Sequence, residues 1–162
     1  MKSTQPITNK IFSLEELRQQ VMRWRLAGKR ITFTNGVFDI LHEGHLSSLN
    51  QAAAYGDRLV VAVNGDDSVK RLKGNDRPVN GEYSRALLLA SLLVTDAVIL
   101  FHEDTPIEVI RAILPDVMVK GGDYKIEEIA GAKEVLENGG QVILATMVEG
   151  ISTTKIIEKM KK

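Results

Sequence analysis

A chain of 162 residues with no cysteine and with 21 basic and 21 acidic side chains fits one domain, which buries roughly 70% of its unfolded surface in a single core without disulfide staples. Zero net charge argues against a nucleic-acid binder, which needs a basic face, so any phosphate ligand has to be held by local geometry. The absence of cysteine removes disulfides, thiolate zinc sites and thiol nucleophiles together, and suits a reducing compartment. No apolar run approaches the roughly 18 residues of a membrane span, and the polar start MKSTQPITNK lacks a signal-peptide core, so the expectation is a cytoplasmic protein without membrane contact.

Residues 1 to 10 read as a mobile arm. Ser13, Leu14, Glu15 and Glu16 then have the form of a capping box opening a helix that runs to about Ala27 and ends at Gly28. Leu14, Leu17, Val21, Trp24 and Leu26 form one apolar stripe, so residues 1 to 28 are expected to be an arm and a helix packed on a domain of residues 29 to 162. The remainder alternates short apolar runs (31 to 34, 58 to 63, 97 to 101, 117 to 119, 141 to 145) with helical patterns (44 to 55, 81 to 93, 106 to 113, 131 to 138, 153 to 160). Runs this apolar, separated by helices instead of hairpin turns, belong to a parallel sheet covered on both faces. The fold class is α/β: a single Rossmann-like domain, a five-stranded parallel sheet with helices on both faces. Thr105 as cap, Pro106 at the first helical position and Glu108 behind it mark one helix start, and Asn138-Gly139 closes another helix in a left-handed turn.

In an open parallel sheet, ligands bind over the carboxyl ends of the strands, where the strand order reverses. The loops on that edge hold Asn35 to His45, Asn64 to Asn80, His102 to Thr105, Lys120 to Lys125 and Thr146 to Thr154. The first is the richest. An apolar run breaks at Gly36 and a helix-compatible pattern resumes after Gly44, so His42 and His45 sit at a helix N-terminus. Free N–H groups and the positive end of the macrodipole attract an anion there. Three residues apart, both imidazoles share one helix face, and Gly44 between them carries no Cβ to keep a phosphate off the backbone. A metal site is the other option; without cysteine, a zinc would need two more ligands from carboxylates or from His102, and no metal ligand set is assigned.

Thr34-Asn35-Gly36-Val37-Phe38-Asp39 followed by His42-Glu43-Gly44-His45 resembles the signature of the HxGH nucleotidyltransferase superfamily. Glu149-Gly150-Ile151-Ser152-Thr153-Thr154-Lys155-Ile156 resembles its second signature, about a hundred residues on. Within the superfamily the similarity is greatest to the adenylyltransferases of ADP-heptose synthesis, and stretches 69 to 80, 103 to 124 and 128 to 140 support it. It runs from about Lys29 to the C-terminus.

The resemblance implies an enzyme that condenses ATP with D-glycero-D-manno-heptose 1-phosphate, releasing pyrophosphate and making ADP-heptose for lipopolysaccharide or a related glycan. Such a reaction asks for positioning and charge stabilisation, without covalent chemistry by the protein. The resemblance gives His42 and His45 to the triphosphate, with His45 at the α-phosphate, and Lys73 to a phosphate contact. Lys73 belongs to a set of four cations with Lys70, Arg71 and Arg77, read as a mobile clamp. It also implies that Thr34, Asn35, Gly36, Phe38, Gly44 and Arg85 bind the nucleotide. Gly121 and Gly122 would let backbone lie against a flat ligand, with Asp123 accepting from ribose or base, and Ser152, Thr153 and Thr154 would close on the triphosphate as a second jaw. Asp66 is a candidate for the acceptor substrate or for Mg2+, which is expected with ATP, and Asp39 for the acceptor, for Mg2+ or for a structural role orienting its loop. Relatives are commonly homodimers, and a separate sugar kinase is expected to supply the acceptor. The rival chemistry is a glycerol-3-phosphate cytidylyltransferase, whose second signature carries an arginine where this chain has Met147 and Val148. A nucleotide-binding sensor without turnover is the rival from another class.

Overall fold

The computed structural model describes residues 6–160. Its sheet has six strands, all parallel, in the order β1-β4-β3-β2-β5-β6. They are β1 (Ile11–Phe12), β2 (Ile31–Gly36), β3 (Arg58–Asn64), β4 (Ala97–Phe101), β5 (Val117–Gly121) and β6 (Gln141–Ala145). The expected five are β2 to β6. The sixth corrects the reading of residues 1 to 10 as an arm flowing straight into a helix. Ile7–Lys10 forms a 3-10 turn, and Ile11 and Phe12 pair with Val98 and Ile99 at the sheet edge. Lys10 Nζ ties the turn down, donating to the carbonyls of Thr95 at 2.7 Å and Leu92 at 3.3 Å. Two residues are too few to show a strand's alternation, so only the partner strand reveals this one. The part of the arm at residues 1–5 lies outside the described residues.

The helices are α1 (Leu14–Leu26), α2 (Glu43–Ala53), α3 (Asp66–Lys73), α4 (Glu82–Ser91), α5 (Ile107–Ile113), α6 (Ala132–Glu137) and α7 (Thr153–Met160). The capping box of α1 is formed: the Ser13 amide donates to Glu16 Oε2 at 2.9 Å, and the Glu16 amide to Ser13 Oγ at 3.4 Å. Gly139 closes α6 with φ +80° as expected. Thr105 does not cap α5; Pro106 is the N-cap residue and no side chain caps it. The segment read as a loop from 64 to 80 contains α3, hidden in the sequence because only Ser68 and Val69 of its eight residues are buried.

Alternation along the strands builds two cores. Phe33, Val60, Ile99 and Met118 face α1, α5 and α6, burying Leu17, Val21, Ile110, Ile113 and Val135. Val61, Val63, Val98 and Val119 face the other way onto Leu49 and Ala52 of α2 and Ala86, Leu89 and Ala90 of α4. At the amino edge aspartates receive the strand amides: Asp116 accepts from Ile31 N at 2.7 Å and Asp96 from Leu59 N at 2.9 Å. The carboxyl edge is left for chemistry. Strand order runs outward from β2 through β3 and β4 on one side and through β5 and β6 on the other, so the reversal lies between β2 and β5. No described helix is long and apolar enough to cross a membrane.

Because Leu17 is fully buried between α1 and the sheet, Leu17→Ala should cost roughly 2–5 kcal/mol. Thermal denaturation should show a drop in Tm on the order of 5–15 °C. A Tm within a degree of wild type would show that α1 is an appendage and not part of the core.

Candidate active site

The loop from β2 to α2 is shaped before any ligand arrives. Asp39 is buried, and its carboxylate accepts from the amides of Val79 at 2.8 Å and Asn80 at 2.9 Å and from Arg77 Nε at 2.6 Å. Burial alone would raise its pKa, but the Asn80 and Val79 amides and the Arg77 guanidinium together hold it below its ordinary value. Arg85, fully buried in α4, donates to the carbonyls of Val37 at 2.7 Å and Asn80 at 2.9 Å and to Asp66 Oδ1 at 2.7 Å. Two charged residues thus fasten the loop to the segment 77 to 80 across the sheet edge. Phe38 within it takes φ +50°, and a Cβ on Gly36 would sit 3.1 Å from the Phe38 ring, which is why strand β2 ends in glycine.

That scaffold delivers the two histidines as expected, at the start of α2. His42 is the N-cap residue, with no side-chain cap bond, and His45 lies in the first turn. Their rings stack with centroids 3.9 Å apart, and Phe38 meets His45 edge-on at 5.3 Å. A Cβ on Gly44 would stand 3.0 Å from the His42 ring, so this glycine makes room for the imidazole pair. Neither Nδ1 has a hydrogen-bond partner among the described residues. Burial lowers the pKa of His45, the neighbouring His42 lowers it further and the Ile40 carbonyl offsets this only in part, giving about 4. Burial also lowers His42, against the pull of Glu43. Both rings are neutral at pH 7, one nitrogen of each a donor and the other an acceptor.

A cleft of 590 Å³ opens above the reversal point between β2 and β5. Of the residues singled out in the sequence, Thr34, Asn35, Gly36, Phe38 and Asp39 line it from β2 and its loop, and His45 from α2. Lys73 reaches it from the end of α3, Gly121 from β5, and Thr153 and Thr154 from the start of α7. Thr153 Oγ1 donates to the Ile40 carbonyl at 3.4 Å, and Ser152 Oγ, off the cleft wall, accepts from the Lys155 amide at 3.2 Å as a cap. His42 and Gly44 stand behind His45 and not on the wall.

Several assignments take a different form. Arg85 does not reach the cleft: its guanidinium is engaged with Val37, Asn80 and Asp66, so it fixes the loop instead of a nucleotide. Asp66, given to the substrate, is its partner. Asp39 lines the floor, but its oxygens are engaged by Arg77 and two amides and are not free for a ligand. Gly122, at φ +122°, and Asp123 lie outside the lining, between Gly121 and Tyr124, which belong to it. The four-cation clamp is largely engaged elsewhere: Lys70 pairs with Asp67, Arg71 with Asp104 and Arg77 with Asp39, leaving Lys73 without a partner among the described residues. Among the described residues no three acidic or imidazole side chains converge to hold a metal.

Among the cleft residues given no role of their own from the sequence are Ser48 and Lys120. Ser48, one turn beyond His45, could have been found by helix spacing. Lys120 sits before the paired glycines and drew less notice than they did, although a lysine ending an apolar strand is itself a signal.

A family model described as cytidylyltransferase-like matches residues 33–159. The chain belongs to the cytidylyltransferase-like family. It is accordingly a nucleotidyltransferase, and the cleft over the HEGH helix is its candidate centre. The nucleotidyltransferase is 54% identical over 150 residues to "Bifunctional protein HldE" of Koribacter versatilis, covering 93% of this chain and 31% of that protein. It is 56% identical over 146 residues to the protein of the same name from Shewanella piezotolerans, covering 90% of this chain and 31% of that one. The chain therefore spans about a third of the length of these relatives. The crystal structure of the lipopolysaccharide core biosynthesis protein from Thermoplasma volcanium superposes with a TM-score of 0.65 at 32% identity, covering 75% of this chain and all of that one. A pantoate-beta-alanine ligase from Francisella tularensis, at 12% identity and TM-score 0.61, shares the fold.

The neutral histidine pair has a consequence for pH. A base whose folded pKa lies near 4, against 6.5 when exposed, binds fewer protons in the folded than in the unfolded state between those values, so stability falls as pH drops through that window. Asp39, lowered from 3.8, loses its contribution at more acid pH, outside the window. Scanning fluorimetry from pH 7 to pH 4 should show a declining Tm in wild type and a shallower decline in His45→Gln. Parallel curves would mean that His45 is not held neutral.

Proposed function

We propose that this chain is an adenylyltransferase that condenses ATP with D-glycero-D-manno-heptose 1-phosphate to give ADP-heptose and pyrophosphate. The observation that carries the reading is the convergence of His45, Lys73 and the start of α7 on one cleft. Identity above one half to proteins named HldE supports the heptose acceptor, and the Thermoplasma relative's description supports a place in lipopolysaccharide core synthesis.

A phosphate oxygen of the sugar attacks the α-phosphorus of ATP, the bond from that phosphorus to the bridging oxygen breaks, and pyrophosphate carries away the electron pair. The positive end of α2 and the neutral N–H of His45 meet the charge that grows on the α-phosphate. His42 backs the His45 ring and fixes its plane. Lys73, exposed and unpartnered among the described residues, closes on the phosphates from α3. Magnesium enters with the triphosphate as part of the substrate, since the Asp39 and Asp66 carboxylates are engaged by arginines. A sugar kinase reaction supplies the acceptor, and the working unit is a homodimer.

A pyrophosphate-release screen of ATP and CTP against heptose 1-phosphates, hexose 1-phosphates and glycerol 3-phosphate tests the assignment. In it, His45→Ala should lower kcat by roughly 10², the effect of removing a preorganised donor worth ~3 kcal/mol, with less change in the KM for ATP. Near wild-type turnover would reduce the HEGH motif to a helix cap.

The base follows from the second signature. Met147 lines the cleft where the cytidylyltransferase signature has a neighbouring arginine. A thioether packs against a purine but leaves the cytosine carbonyl unpaired, at about 1–3 kcal/mol. The kcat/KM for ATP should therefore exceed that for CTP by about tenfold or more. Equal or better use of CTP rejects the adenylyl assignment in favour of the cytidylyltransferase.

A further inference from the structure

Lys120 and Asn35 face one another where the strand order reverses. The register pairing Phe33 with Met118 between β2 and β5, continued two residues along each strand, brings Asn35 opposite Lys120 at the carboxyl edge. Alternation puts both side chains on the face of Phe33 and Met118, the face covered by α1, α5 and α6, whereas the histidines belong to α2 on the other. The cleft straddles this edge, and on the Lys120 side it continues past Thr105 and Glu128, in the segments before α5 and α6.

Lys120 Nζ donates to Asn35 Oδ1 at 3.1 Å and reaches the Asn35 carbonyl at 3.4 Å, with the Tyr124 ring centroid 6.0 Å away. It has no carboxylate partner among the described residues. An ammonium has three donors, so one remains for a ligand. Burial lowers its pKa, a cost that an anion in contact would reverse. Arg77, the remaining basic residue of the lining besides Lys73 and Lys120, is tied to Asp39. The cleft therefore offers two lysines without a carboxylate partner among the described residues, one at the end of α3 and one near the end of β5.

A nucleotidyl transfer has to hold two multiply charged phosphate groups in contact, and each needs its own counter-charge to approach the other. We propose that Lys120, braced by Asn35, binds the phosphate of the acceptor, while His45, on the α2 side, and Lys73 hold the triphosphate. This rests on the adenylyltransferase reading, in which the acceptor is a sugar phosphate. The acceptor's oxygen forms the new bond to the α-phosphorus as the α–β bridge breaks, and total charge is conserved between the sugar phosphate with ATP and the nucleotide sugar with pyrophosphate. Lys120 transfers no proton; it lowers the repulsion between the two anions and aims the attacking oxygen.

The test separates the lysine from the identity of the sugar. Protein saturated with a non-hydrolysable ATP analogue is titrated with inorganic phosphate and its Tm followed. Wild type should gain stability, Lys120→Met should lose that gain, and Lys120→Arg, which keeps the charge, should retain most of it. In turnover, Lys120→Met should raise the KM for the sugar phosphate by roughly tenfold or more, with the KM for ATP within about twofold of wild type. Equal phosphate shifts in wild type and Lys120→Met, no shift in wild type, or a loss confined to ATP affinity would each overturn the assignment. If wild type turns over no heptose 1-phosphate while its phosphate shift still depends on Lys120, the sugar assignment falls and the acceptor site stands. Should Lys120→Met fail to fold, Lys120→Gln carries the same comparison.

Discussion

The centre depends on two buried charged residues, Asp39 and Arg85, whose polar atoms are engaged by the protein itself. Asp39 and Arg85 clamp the loop between β2 and α2 to the segment 77 to 80, the first through Arg77 and two amides, the second through two carbonyls and Asp66. Removing one partner of such a buried set leaves the other charge uncompensated, typically at about 3–5 kcal/mol. The loop is therefore rigid where it must be: Phe38 is held at positive φ, and the entry angle of α2, with His42 and His45 on it, is set. Preorganisation of that sort is what lets fixed dipoles stabilise a developing charge without reorganising first.

A protein of zero net charge still gathers lysines without carboxylate partners at one cleft. Several cations outside it are matched, Arg58 with Asp96, Arg71 with Asp104 and Arg111 with Glu134. In the cleft, Lys73 and Lys120 are left without carboxylates among the described residues, and the imidazoles are neutral donors. The local field thus arises from which pairs are absent, together with the N-terminus of α2. Composition alone sees only the sum.

The order of the strands places these groups together. Because β3 and β5 lie on opposite sides of β2, the edge above β2 is open to helices of both faces. His45 comes from α2 on one face, and on the other the cleft continues past Lys120 to the segments before α5 and α6. The Francisella ligase, at 12% identity, shares the fold.

Much of this was legible in the chain. Apolar strands with period 2 and capped helices with their stripes are local signals, so five strands, six of the helices and the α/β class followed from patterning, and the HEGH loop announced itself by glycine and histidine spacing at a helix start. What escaped had no local signature. β1 is two residues long and exists only by pairing with β4, and α3 buries just two of its eight residues, so its cations resembled a loop. The roles of the charged side chains were decided further off still. Arg85 and Asp66 are nineteen residues apart and Arg77 and Asp39 thirty-eight, and whether a charge is engaged or free depends on which distant partner the packed sheet brings within hydrogen-bond reach. Spacing in the sequence determined the elements and where their chemistry would gather; only the tertiary structure determined which charges lock the loop and which line the cleft without a carboxylate partner, because pairing is a property of distance in space.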